Sequence, residues 1–413
     1  SIPESSALVL DTEVGRLVHS GDFKLDETPV VGEPFDLEMW KKIAETGIQA
    51  FVCDSTNIFA NFAGRSESSL SNNIDDLFVK AEKMIVATTF SSNLARLKTL
   101  AEAGGRAGRY VCLLGRAMQQ MFEIGKKTDI IKAFPKLIEL KDIQFVPRNK
   151  LLLIVTGSQG ERRAASAQLA SGKYRGIELE AGDLFLFSSK TIPGNERSVI
   201  RIINKLSEKG VNVVSDETPD YHVSGHANYP ELDFMHQLLN PKMIIPMHGE
   251  HRHLKEHCNL AQRGGRASIV CVNGEVIDLS GDYPTIADKI CTGRKYIDGK
   301  IQISADDGTI RNRIRMALHG HLIISVLIDE GNNSLEAPSI RLRGLPEVGV
   351  SKISLIEVLE EDLGQFMAGL NINQSGSDEE LEEILARAAR KICLEEIGKK
   401  PEITVILNRF YKS

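Results

Sequence analysis

Short apolar runs alternate with helix-length amphipathic stretches through the first 300 positions of the chain. The runs are AFVCD (50–54), KMIVATTF (83–90), YVCLLG (110–115), LLLIVTG (151–157), DLFLFSS (183–189), VNVVSD (211–216), MIIPMH (243–248) and SIVCVNG (268–274). Their length and their richness in Val, Ile and Leu predict strands. Between them lie stretches such as NLARLKTLAEAG and ERSVIRIINKLSEKG, whose apolar positions recur at helical spacing; the alternation is the α/β pattern. The first residues read as a hairpin, SALVLDT and RLVHSGD around Gly15. From about residue 285 the character changes, through TGRKYIDGKIQISADDG, to a tail with the strand HLIISVLID, a capped helix and a last strand EITVILNRF. In that helix Ser377 and Glu380 stand at capping-box spacing, with Leu381, Ile384, Leu385, Ala388 and Ile392 on one face. The tail is therefore expected to be a small separate α+β domain.

Composition narrows the class. With 413 residues, 42% hydrophobic and 26% charged, the chain has the balance of a soluble globular protein of two or three domains. It has no run of 18 apolar residues and no signal-peptide start, so the expectation is a cytoplasmic protein without a membrane anchor. Six cysteines are scattered without a CxxC pair, which argues against a disulfide framework or a thiolate zinc ribbon and for buried free thiols. A net charge of −6 excludes attraction to polyanions over the whole surface, so any nucleic-acid site must be a local basic groove. The chain opens on Ser1 rather than Met and enters the hairpin at once, which suggests residues upstream.

Candidate chemistry gathers where strands stop. Asp22 follows LVHSG, Asp54 follows AFVC and His248 follows MIIPM; loops at strand ends are the usual place for a site in an α/β fold, although a single strand-terminal Asp more often caps a turn or helix. The segment from His222 to His253 holds six of the ten histidines. Within it His226 and His248 are separated by one helix and one strand, a spacing that can bring both to one sheet edge. HLKEH, His253 to His257, has the HxxEH form of zinc peptidases, with Glu256 as the base. Its bland counterpart is a solvated amphipathic helix in which His253, Lys255 and Glu256 face water. His236 and His19 look structural.

Several motifs occur together and in order: SGDFKLD (20–26), CDSTN (53–57), TGSQGE (156–161), FSSKTIPGNE (187–196), HVSGHA (222–227) and PMHGEHRHL (246–254). In these the chain resembles ribonuclease J, a family of metallo-β-lactamase/β-CASP nucleases. The resemblance implies an α/β fold: a metallo-β-lactamase αββα sandwich carrying an inserted β-CASP domain, then a small C-terminal α+β domain. The implied boundaries are 1–66 and 226–285 for the two parts of the metallo-β-lactamase domain, 67–225 for the insertion, 286–310 for a linker and 311–413 for an oligomerisation domain.

Residue by residue, the family pattern implies that Asp22 bridges two metal ions and His248 ligates one of them. It makes Asp54 the acidic β-CASP motif and His226 the catalytic histidine. Two divalent ions, zinc by family habit with manganese or magnesium as alternatives, suit phosphodiester hydrolysis because they activate the nucleophile and neutralise developing charge. His222, Ser224 and Gly225 would form a pocket for an RNA 5′-monophosphate. Ser158, Gln159, Ser188 and Ser189 would line the RNA path or bond their own loops. The implied activity is 5′-to-3′ exonuclease with endonuclease capacity on single-stranded RNA, in RNA decay and rRNA maturation, by a homodimer or homotetramer. A non-catalytic RNA-binding or scaffold member of the family is the reading from another class. The chain departs from the family in two places: Arg162 stands where Pro commonly follows QGE, and the HxHxDH signature is absent from the 413 residues. The expectation is a chain that lacks the first part of its catalytic domain, and residues 1–413 alone are then expected to hold metal poorly and not to degrade RNA.

Overall fold

The structure is a computed structural model that describes residues 4–331, 334–370 and 377–410. Ser1, Ile2 and Pro3 lie outside the described residues. The chain divides into two compact units, residues 1–290 and 291–413.

Two five-stranded sheets organise the first unit. One runs in the order Leu8–Thr12, Gly15–His19, Ala50–Asp54, Met243–Met247, Ala267–Ser268. Its first pair is the expected hairpin, antiparallel, and every other neighbour is parallel. The other sheet is parallel throughout, in the order Asn212–Val214, Leu184–Phe187, Ile85–Thr88, Leu151–Val155, Tyr110–Leu114. Its three inner strands, LFLF, IVAT and LLLIV, are buried at every position, which is why they read as continuous apolar runs rather than as an alternation. One face packs Ile85, Ala87, Leu152 and Leu186 against the helix Leu94–Arg106; the other packs Val86, Leu153, Phe185 and Phe187 with Val199 and Ile202 of the helix Glu196–Glu208.

The chain leaves the first sheet after Asp54 and returns to it at Met243, so the second sheet is built from an insertion between two adjacent strands. All three inner strands of the first sheet run the same way, and the chain ends that follow them, with Ser20, Asp54 and His248, fall on one edge. The helix Tyr229–Leu239 closes the return, with a reciprocal capping box between Asn228 and Glu231.

One predicted strand is mostly absent. In SIVCVNG only Ser268 is paired, with Ala267 before it, and the next strand is Glu275–Asp278, in a separate hairpin with Thr285–Lys289. The run finds one neighbour over two residues, and residues 269–271 are only half-buried, so apolar composition alone does not extend the ladder. The cysteines also depart in part: Cys53, Cys112, Cys258 and Cys393 are buried free thiols, Cys271 is half-buried and Cys291 is exposed.

In the second unit the strand His321–Asp329 pairs in parallel with Glu402–Phe410 and antiparallel with Ser339–Arg343. Leu322, Ile324, Val326 and Ile328 alternate inward against the helices Leu355–Ala368 and Asp378–Ile397. Ser377 caps the latter by accepting from the Glu380 N–H at 3.3 Å. No helix among the described residues is long and apolar enough to cross a membrane.

Gly104 shows how tightly the inserted sheet is packed. It lies buried within Leu94–Arg106, and a Cβ there would meet Leu152 Cδ2 at 2.4 Å and Val111 Cγ2 at 3.3 Å. A helical Gly→Ala change ordinarily gains about 1 kcal/mol. Here Gly104→Ala is expected to lose about 1–3 kcal/mol by overpacking, and Leu152→Val in the same chain should restore part of it; urea denaturation measures both.

Candidate active site

Asp54 is the last residue of its strand and is 1% exposed. A carboxylate so placed must have its oxygens satisfied. Oδ1 accepts from the Thr56 N–H at 2.9 Å and from the Thr56 hydroxyl at 2.7 Å, and Oδ2 lies 2.6 Å from His226 Nδ1. Burial opposes the charge on Asp54, but His226 and the Thr56 donors outweigh it and hold the pKa below the usual carboxylate range. Burial likewise opposes charge on His226, and the Asp54 carboxylate, joined by Asp22, reverses the balance and raises the pKa above that of an ordinary imidazole. With Nδ1 donating to Asp54, Nε2 is the nitrogen left for chemistry.

Asp22 and His248 stand on the same edge, both about half exposed. His248 Nδ1 is 3.1 Å from Asp22 Oδ1 and 3.6 Å from Asp54 Oδ1. The backbone of His248 is left-handed, with φ of 63°, and Gly249 follows with φ of 82°. A non-glycine residue there carries about 1–3 kcal/mol of strain, and strain of this kind collects where a side chain must be aimed. Oxygen and nitrogen atoms of Asp22, Asp54 and His248 lie within 4.8 Å of one another; with both Asp54 oxygens engaged by Thr56 and His226, Asp22 and His248 are the carboxylate and imidazole donors open to a divalent ion.

Asn57, which drew no notice in the sequence beyond its place in CDSTN, ties these parts together. Its Nδ2 reaches Ser224 Oγ at 2.8 Å, the His226 carbonyl at 3.2 Å and Asn228 Oδ1 at 2.9 Å. Ser224 Oγ also accepts from the His226 N–H at 3.1 Å, which leaves its own proton to donate. His222 is half-buried and its Nδ1 has no hydrogen-bond partner. Burial, then the positive charges of Arg96, Arg65 and Lys190 against the opposing Asp216, lower its pKa and keep it neutral. Ser224 and Gly225 border a cleft of about 750 Å³ that also includes Asp22, Lys24, Lys98 and Lys132.

Other candidates are engaged elsewhere. The Gln159 side chain bonds one loop on three counts: Nε2 donates to the Lys190 carbonyl at 3.0 Å, and Oε1 accepts from the Ile192 N–H at 2.8 Å and from Asn195 at 3.2 Å. Ser158 and Ser189 are buried, and Ser189 Oγ has no partner; Ser188 donates to the Tyr221 carbonyl at 2.7 Å. His253 and His257 do share a helix, His251–Arg263, but their rings are occupied separately. His253 Nδ1 accepts from the Glu250 N–H at 3.0 Å and its ring meets Phe59, whereas His257 is fully buried, bonded to Ser55 at 2.8 Å and to His236 at 2.9 Å. An HxxEH ion would have to break those interior bonds. His236 is fully buried and His19 Nδ1 accepts from the Gly21 N–H, both structural placements. Cys53, His236 and His257 also bring three ligand atoms within 4.8 Å, in an enclosed interior cluster.

Three family descriptions match successive parts of the chain: "Ribonuclease J, beta-CASP domain" over residues 82–206, "Zn-dependent metallo-hydrolase RNA specificity domain" over 210–272, and "Ribonuclease J C-terminal domain" over 308–410. Ribonuclease J of Sinorhizobium meliloti is 34% identical over 410 residues, which cover 99% of this chain and 73% of that protein. The chain belongs to the ribonuclease J family. The ribonucleases J of Synechocystis and of Helicobacter pylori are 31% and 30% identical over 98% of the chain, which spans 65% and 59% of their lengths. In ribonuclease J terms the parallel inserted sheet falls largely in the β-CASP match, while His226 and His248 fall in the RNA-specificity match. Asp22 and Asp54 lie ahead of all three matched segments and are carried to the site by the first sheet.

The histidine pair beneath the site sets an acid limit on folding. Burial lowers the pKa of His257 to about 4 and that of His236 well below its usual value. Both stay neutral when folded and take up a proton on unfolding, so stability is full above pH ~6.5 and falls as pH drops below it. From pH 7 to pH 5 the His257 contribution alone is expected to be about 2 kcal/mol. Denaturant midpoints across that range measure it, and His236→Gln, with one titrating group fewer, should show a shallower slope.

Proposed function

We propose that the protein hydrolyses single-stranded RNA as a metal-dependent ribonuclease, working 5′-to-3′ from monophosphorylated ends and also cutting internally. Its setting is RNA decay and rRNA maturation in the cytoplasm, as a homodimer or homotetramer built through the C-terminal unit. The observation that carries this reading is the 2.6 Å contact between Asp54 and His226, set beside the Asp22 and His248 donors on one sheet edge.

Asp22 and His248 would be among the ligands of the metal, two ions per intact subunit and zinc by family habit, with manganese or magnesium as alternatives. Bound there, the ions would supply charge neutralisation and Lewis acidity toward the phosphodiester. The chain's own groups account for the rest. Asp54 fixes the His226 tautomer and favours its protonated form, so Nε2 can deliver a proton to the leaving oxygen. The Asp54 hydrogen bond orients that proton, and the buried carboxylate takes no part beyond orientation and charge. The Ser224 hydroxyl, the neutral His222 ring and the amides of the turn would supply the donors for a terminal phosphate. A 5′ end anchored at a fixed distance from the cutting groups favours release of one nucleotide per cut.

In the gene product, His226→Ala should lower cleavage of 5′-monophosphorylated RNA by about 10²-fold or more while leaving metal content nearly unchanged. Asp22→Ala should instead lose metal. Elemental analysis beside a gel assay separates the two, and loss of metal in His226→Ala would remove it from the proton-transfer role. Ser224→Ala should weaken binding of 5′-monophosphorylated RNA more than that of 5′-hydroxyl RNA, by about 5–10-fold in the ratio. Equal losses on the two ends would leave the turn a structural role only.

A further inference from the structure

We infer that Arg96, on the helix Leu94–Arg106 of the inserted sheet, is a positioning residue for the His222–Gly225 segment and so for selection of the RNA 5′ end. The inference rests on the reading of that segment as the phosphate pocket.

Arg96 is 1% exposed. A guanidinium cannot shed its proton, so it is tolerated in an interior only where its N–H groups are matched. Nε and Nη2 make a fork on the carboxylate of Glu67, itself 7% exposed, with Nη2 2.9 Å from Oε2. Nη1 points to a different part of the chain. It donates to the Ser188 carbonyl, lies 3.1 Å from Ser188 Oγ and reaches the Tyr221 carbonyl at 3.4 Å. The Ser188 hydroxyl donates to that same Tyr221 carbonyl at 2.7 Å. Tyr221 is the residue before His222, and the next carbonyl, that of His222, accepts from Arg65 Nη2 at 2.8 Å. Two consecutive carbonyls at the entrance to the turn are thus held by two arginines.

Ordinary loop carbonyls are satisfied by water or by neutral donors. Taking a charged pair out of water is costly, and an apolar pair of equal volume is commonly as stable or more so. What the ion pair adds is direction. The planar fork on Glu67 fixes the orientation of the guanidinium, and the guanidinium then sets where the strand end at Ser188 and the backbone at Tyr221 meet. Those two points determine where the His222 ring and the Ser224 hydroxyl stand. Arg96 touches neither the cleft edge formed by Asp22 and His248 nor the Asp54–His226 pair, so its effect should fall on recognition of the 5′ end.

The test compares affinities of one oligoribonucleotide in 5′-phosphorylated and 5′-hydroxyl form, by fluorescence anisotropy, for the gene product and for Arg96→Lys, Ser188→Ala and Ser224→Ala, with thermal melting of each. Arg96→Lys keeps the charge and loses the fork. It should lower the ratio of the two affinities by about tenfold, and Ser188→Ala by about threefold. A general loss of structure would weaken both forms alike and leave the ratio unmoved, which overturns the inference. If Arg96→Lys does not fold, the ratio in Ser188→Ala decides. A lowered ratio in Ser224→Ala with unchanged ratios in the other two defeats the role of Arg96 and leaves the phosphate reading standing. Unchanged ratios in all three defeat both.

Discussion

The parallel pairing of Ala50–Asp54 with Met243–Met247 is the constraint on which the rest of the first unit depends. Met247 sits opposite Asp54 in that register, so the two strand ends release Asp54 and His248 side by side, and the Ser55 N–H closes the join on the Met247 carbonyl at 2.8 Å. The neighbouring strand Gly15–His19 pairs with the same strand from the other side and brings Asp22 to that edge. A slip of one residue in either pairing would turn Asp54 away from His226 and expose Phe51 and Cys53, which are fully buried in the sheet's core. Hydrophobic burial therefore sets the register, and the register sets the polar geometry.

Around that register the polar groups are satisfied in layers. Thr56 takes one oxygen of Asp54 and His226 the other; Asn57 then spans Ser224, His226 and Asn228. Below, Ser55 meets His257 and His257 meets His236, a chain of neutral donors and acceptors within an apolar cluster. Each layer fixes the one above it, so the exposed groups Asp22 and His248 rest on an interior with few alternatives. Only the outermost layer is open to solvent, which suits a site that must admit a polyanion.

The inner strands were legible in the sequence because burial on both faces leaves an unmixed apolar run; LLLIV and LFLF admit little else. SIVCVNG looked the same but sits at an edge with half-buried residues, and a composition signal does not say how many neighbours a strand will find. The strand-terminal residues Asp22, Asp54 and His248 could be singled out because topology alone brings the ends of parallel strands to one edge. The engagement of Gln159 with its own loop, the span made by Asn57 and the withdrawal of His257 into the core could not be seen. Each depends on partners between 21 and 202 positions away, and an amide or an imidazole has the same chance of meeting RNA, metal or a carbonyl until those partners are in place.

The insertion between Asp54 and Met243 also bears on how the molecule acquires its structure. The two strands that carry the site close a loop of about 190 residues, an entropic cost of about 5 kcal/mol if that loop were a flexible chain. The inserted parallel sheet has two cores of its own, so it can collapse first and bring its ends together. Chain order during synthesis runs the other way: Ala50–Asp54 emerges early and must wait, edge exposed, until Met243–Met247 arrives. At about 5–20 residues per second that wait is roughly 10–40 s, a window in which a chaperone or a second nascent chain can compete for the same strand.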